Sequence, residues 1–221
     1  MRLELGKQVR SADREVVGEL ADVIVDPIEK RVTHLVVKPH HRADEGLHLV
    51  PIEHAVSGDD GGEISLRCSA EEVRQLPNVQ DFAYLRVGEA PVSDPEWDVG
   101  IKEVLALPYY DGGLGGGLAG GYEEQVGVVY DRIPKGEVEI RRASSVTSAD
   151  GHHLGEVDGF LVDGDHITHF VLERGHLWGR REVTIPINLV TSIDPDAVTI
   201  GLSKDEVGDL PEHKVRRHTK S

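Results

Sequence analysis

The chain has 221 residues, 40 acidic and 24 basic, for a formal charge of −16. A surface of that sign repels phosphate backbones, which argues against direct nucleic-acid binding and in favour of cations or basic proteins as partners. The single cysteine, Cys68, forbids an internal disulfide, no stretch is apolar enough to span a bilayer, and the opening MRLELGKQVRSADRE lacks the apolar core of a secretion signal, so the expected setting is cytoplasmic.

Along the first part of the chain, VVGELADVIVD (16–26), RVTHLVVK (31–38) and GLHLVPI (46–52) are short and rich in Val, Ile and Leu. Gly, Pro and Asp bound them, and each predicts a strand. Ser69 and Glu72 then have the S-x-x-E spacing of a capping box, and Leu76-Pro77 stops the short helix it opens. Further on, DPEWDVGIKEVL (94–105) offers Asp94 as N-cap and Pro95 at the first helical position. Trp97, Ile101, Val104 and Leu105 then fall on one helical face, which predicts a short helix. The run DGGLGGGLAGG (111–121) lacks the Lys-Ser/Thr of a phosphate loop and reads as a flexible linker. Strand-like sequence resumes in YEEQVGVVYDRIPKGEVEIRR (122–142).

From residue 148 the chain repeats itself. SADREVVGELADVIVD (11–26) and SADGHHLGEVDGFLVD (148–163) are identical at seven of sixteen positions. VTHLVV (32–37) then matches ITHFVL (167–172), and LVPI (49–52) matches TIPI (184–187), both at an offset of 135. SAEEVRQLP (69–77) matches SKDEVGDLP (203–211) at 134. The two missing residues fall between Asp26 and Val32, where the second copy has Asp163-Gly164, a hairpin signal. LVTSIDPDAVTIGL (189–202) predicts another hairpin, turning at Asp194-Pro195-Asp196, and Ser203 with Glu206 repeats the capping box. Self-similarity through four blocks is a stronger signal than any single motif. HKVRRHTKS (213–221) reads as a frayed basic tail from residue 214 onward.

On these blocks the chain resembles the PRC-barrel family. The pattern is a small polar turn, Gly-Glu-Val, a hydrophobic strand ending in Asp, a second strand and an Ile-Pro-Ile strand, in SADGHHLGEVDGFLVDGDHITHFVLERGHLWGRREVTIPI; SADREVVGELADVIVDPIEKRVTHLVVKPHHRADEGLHLVPI fits the same template. The family includes the cytoplasmic domain of the photosynthetic reaction centre H subunit and the C-terminal domain of the ribosome maturation factor. The resemblance implies small β-barrels that hold other proteins rather than catalyse, and it carries no catalytic residues. The expected fold is therefore mostly β: two tandem small antiparallel PRC-type β-barrels, each ending in a short helix. A unit of about 75 residues is small for a core of its own, so the two are expected to pack as a pseudo-two-fold pair, or against a second chain as a homo-oligomer. The expected organisation is a first repeat over 1–80, a connecting segment with a short helix and a Gly-rich linker over 81–137, a second repeat over 138–213, and the tail over 214–221.

No residue pattern assembles catalytic chemistry, so neither an enzyme nor a cofactor is expected. The twelve histidines lack metal-ligand spacing. Adjacent pairs such as His40-His41 and His152-His153 point to opposite strand faces, and no metal site is expected. His34 and His169 occupy equivalent positions after Thr and read as packing or hydrogen-bonded residues. The loop GHLWGRREV (175–183) is different. It sets Trp178 among His176, Arg180 and Arg181, residue types enriched in binding hot spots. These four are the candidate partner-binding residues, and docking of Trp178 within the protein itself is the competing account. The leading functional expectation is a protein–protein scaffold. The alternatives are a ligand or metal sensor acting through the His-rich loops, and a ribonucleoprotein assembly factor acting through a basic protein.

Overall fold

A computed structural model describes residues 1–40, 46–57, 63–86, 95–105, 125–142, 144–174, 181–210 and 212–214. The fold is mostly β. The chain divides into two compact units, one formed by Met1–Pro77 with Glu137–Ser221 and the other by Asn78–Gly136. Among the described residues no helix is long and apolar enough to cross a membrane.

The larger unit begins with β1 (Arg2–Glu4), β2 (Gln8–Arg10), β3 (Val16–Asp26), β4 (Arg31–Lys38) and β5 (His48–Pro51). A 3-10 turn at Ile52–His54 leads to β6 (Ala55–Ser57), β7 (Ile64–Leu66) and helix α1 (Ala70–Gln75). The smaller unit holds β8 (Gln80–Arg86), β9 (Trp97–Leu105) and β10 (Gln125–Pro134). The chain then returns through β11 (Val138–Arg141), β12 (Ser145–Thr147), β13 (His153–Asp163), β14 (His166–Arg174) and β15 (Arg181–Pro186). A 3-10 turn at Ile187–Leu189, β16 (Val190–Asp194), β17 (Ala197–Ile200), α2 (Lys204–Gly208) and β18 (Glu212–Lys214) complete it.

The duplication read from the sequence reappears in the hydrogen bonding. β2 pairs antiparallel with β3 and parallel with β7, as β12 pairs with β13 and β17. The β3–β4–β5 ladder repeats as β13–β14–β15, and the β6–β7 hairpin as β16–β17. Both short helices carry the expected capping box: the Ser69 hydroxyl accepts from the Glu72 amide, and the Ser203 hydroxyl from the Glu206 amide. The turns follow the local chemistry too. Gly164 takes φ +62 in the β13–β14 turn, and Asp196 takes φ +59 between β16 and β17.

The two halves are laced together by an exchange of strands. β1 leaves the first half and pairs with β13, with Leu3 opposite Phe160; β11 leaves the second and pairs with β3, with Ile140 opposite Val23. Shifted by the 137-residue offset, one register becomes the other. A second reciprocal contact joins β4 and β14, where the Val32 amide donates to the Asp165 carbonyl (2.9 Å) and the Ile167 amide to the Lys30 carbonyl (3.1 Å). Leu3, Val23, Ile140, Phe160 and Phe170 belong to one continuous buried cluster, so one core serves both halves. The ladder runs as an open path from β16 to β6 and does not close on itself among the described residues.

The helix expected within 94–105 is absent: Trp97–Leu105 is strand β9, antiparallel to β10, which in turn pairs with β8. β-branched Val99, Ile101 and Val104 favour the extended chain, and Gly100 weakens a helix. The apparent helical spacing arises because the β9–β10 register shifts near Val129 and Tyr130, which breaks the period of two. The smaller unit thus carries a three-stranded sheet, β8–β10–β9, over most of the expected connecting segment 81–137. Asp94 and the glycine run 111–121 lie outside the described residues.

Candidate docking surface

The predicted docking loop joins β14 to β15. His176, Trp178 and Arg180 lie outside the described residues; Arg181 is the first residue of β15 and is exposed. The hairpin that carries the loop is anchored in the core. Phe160 and Phe170 meet at 4.9 Å between ring centroids, tilted by 59°, and Leu172 and Val183, a directly opposed pair, are both fully buried. Beyond that pair come Glu173 opposite Glu182, then Arg174 opposite Arg181.

β18 adds a third strand to this edge, with Glu212 opposite Val183, His213 opposite Glu182 and Lys214 opposite Arg181. The residue expected to start a frayed tail is therefore in the sheet. Directly opposed residues share a face and successive residues alternate. The register thus aligns Arg174, Arg181 and Lys214 across the three strands. The next row of the register holds Glu173, Glu182 and His213, and Arg2 of the exchanged strand β1 donates to Glu182 at 2.8 Å. Sequence reasoning singled out Arg181 of the first row but not Arg174. The equal spacing of the two arginines about the loop was the available signal.

The other candidate residues have local partners. His34 Nδ1 lies 3.1 Å from the Thr33 hydroxyl, and His169 Nδ1 3.1 Å from that of Thr168. These hydroxyls donate back to the Ile24 and Leu161 carbonyls of the neighbouring strand, and Thr33 also reaches Glu137 at 2.5 Å. Among the described residues no three His, Cys, Asp or Glu side chains gather as a metal would require. Asp13 and Asp150 tie the SAD turns to the helices by accepting from the Ala70 and Lys204 amides, each at 3.2 Å. Hydrogen bonds from Ser11 and Ser148 are the main reason both carboxyls sit below their ordinary range. Bonds from the Ser69 and Ser203 amides and hydroxyls do the same for Glu72 and Glu206.

Asp158 behaves in the opposite sense. It is buried on β13 where β1 crosses, and burial raises its pKa against the pull of Arg142 at 3.5 Å. The Cys68 thiol is buried and shifted upward, chiefly by that burial, which favours the inert thiol over the reactive thiolate.

Residues 5–66 match the PRC-barrel domain. Residues 140–208 match a second family, described as uncharacterized protein conserved in bacteria (DUF2171). No curated protein matches the chain at a significant level.

Proposed function

We propose that the chain is a non-catalytic docking module made of two PRC-type units in tandem, related by a pseudo-two-fold axis, that holds a partner protein on the β14–β15 loop of the second unit. The observation that carries this reading is the reciprocal exchange of β1 and β11. Each half completes the other, so the strands that flank the loop are held by both halves and form a fixed base for docking. The PRC-barrel match over residues 5–66 supports the first unit, and the strand-for-strand correspondence supports extending the likeness to the second. In this reading Trp178 is the anchor, His176, Arg180 and Arg181 surround it, and the module works in the cytoplasm.

Capture from native extract by the tagged full chain, beside Trp178→Ala, tests this reading. A discrete partner lost in the variant at an unchanged melting temperature supports it. Unchanged capture with a lowered melting temperature assigns Trp178 to packing and overturns it.

A further inference from the structure

We propose that β18 is a displaceable strap along the edge of β15, and that the partner protein takes its place with an extended segment alternating β-branched apolar and basic residues. This rests on the docking reading above and gives the partner a chemistry, because β15 begins where the β14–β15 loop ends.

β18 shows what the edge accepts: a strand antiparallel to β15, paired at Arg181, Glu182 and Val183. It is a weak occupant. β18 has three residues against six in β15, and its sequence, Glu-His-Lys, contains no apolar residue. Its attachment therefore rests on a short ladder, with each hydrogen bond contributing about 1 kcal/mol net. Set against the entropy of ordering a terminal segment, such a ladder opens at little cost.

The duplication shows that the core does not depend on this strand. β5 is the counterpart of β15. It pairs with β4, and among the described residues no second strand pairs with it; its Leu49 amide donates to the Pro77 carbonyl at 2.8 Å. Val50 of β5 is nonetheless as fully buried as Ile185, its equivalent in β15.

The register selects the sequence that would pair better. Directly opposed residues share a face and successive ones alternate. Val183 and Ile185 are fully buried, so an incoming strand gains by placing apolar residues opposite them, and β-branched ones suit the extended chain. Glu182 accepts from Arg2 through Oε2 (2.8 Å), and a basic residue opposite it adds a second opposite-charge contact. β18 places Glu212 opposite Val183 and His213 opposite Glu182; a Val-Lys step in their place meets both requirements. A basic segment also suits a chain of net −16.

The experiment measures fluorescence anisotropy of a short fluorescein-labelled peptide alternating Val and Lys, titrated with the full chain. Two control peptides keep its charge: one carries Val and Lys in separate blocks, the other is methylated at its backbone nitrogens. The alternating, unmethylated peptide is expected to bind much more tightly than either, because strand addition needs both the pattern and the main-chain hydrogen bonds. The double variant Glu212→Gly with Lys214→Gly leaves the net charge unchanged and makes β18 costlier to order. It is expected to tighten peptide binding about tenfold by raising the fraction of open edge. Without peptide, the β18 amides are expected to exchange hydrogen faster than those of β14.

Equal binding of either control peptide, no tightening in the glycine variant, or β18 amides as protected as those of β14 would each overturn the proposal. Dimerisation of the glycine variant would assign the freed edge to a second copy of the chain and overturn the partner assignment. If the peptide fails while Trp178-dependent capture persists, the strand chemistry is wrong and the docking reading stands. If both fail, the docking reading falls with it.

Discussion

Replacing Gly159 by alanine probes the exchanged strand with a single methyl group. A Cβ at Gly159 would lie 2.3 Å from the Leu3 carbonyl oxygen and 3.1 Å from the Glu4 Cα. Both atoms are β1 backbone, which cannot rotate aside, so β1 must shift or leave β13. Displacement exposes Leu3, fully buried in the native state, at about 1.5–3 kcal/mol. It also loosens the bonds around the Arg2–Leu161, Leu3–Phe160 and Glu4–Gly159 pairs, each contributing about 1 kcal/mol net. Full displacement of β1 sums to about 4.5–6 kcal/mol. In urea unfolding this appears as a lower midpoint, together with faster proteolysis within residues 1–7. Because one core serves both halves, the transition should move as a whole. A loss below about 1 kcal/mol, or separate transitions for the two halves of the larger unit with only one of them moved, would refute the strand exchange as the link between the halves.

Lys30 holds φ +53 and donates its ammonium to the carbonyls of Val190 (2.7 Å) and Ile187 (3.3 Å) across the two halves. Lys30→Met is expected to lower stability by about 1.5 kcal/mol in chemical denaturation, and an unchanged midpoint would contradict the latch. Ser69→Ala and Ser203→Ala each remove a capping box, should cost about 1 kcal/mol apiece, and should add in the double variant because each box bonds within its own Ser-Glu pair. Asp13, Glu72, Asp150 and Glu206 titrate below their ordinary range when folded. Their contribution is therefore present above that range and lost as pH falls through their folded values, so a melting-temperature profile should decline in acid. Asp158 has the opposite sign: its folded pKa is raised, so its charged form costs stability at neutral pH. Asp158→Asn should melt higher than the parent at pH 7, with the gap closing as acid protonates the parent's carboxyl.

The strands, turns and capped helices of the two halves were legible because each is written locally. The SAD turns, the Gly-Glu step into β3 and β13, and the Ser-x-x-Glu caps set backbone geometry within a few residues. The exchange of β1 and β11 was not legible. Arg2 pairs with Leu161, and a three-residue strand carries no pattern that names so remote a partner. The smaller unit was misread because Trp97, Ile101, Val104 and Leu105 satisfy a helical spacing while Trp97, Val99 and Ile101 satisfy a strand spacing. Only pairing with β10 decides between them. In the candidate site Arg181 is visible as part of a Trp-Arg loop, but its alignment with Arg174 and Lys214 is set by three-strand register, which no local pattern encodes.

The two halves form one interlocked body, each holding a strand of the other. A protease site placed within residues 111–121 and cut in the folded protein tests it directly. The two fragments are expected to elute together and to unfold in one transition for the larger unit, each still holding the other's strand. Fragments that separate under native conditions, or that melt independently, would contradict it.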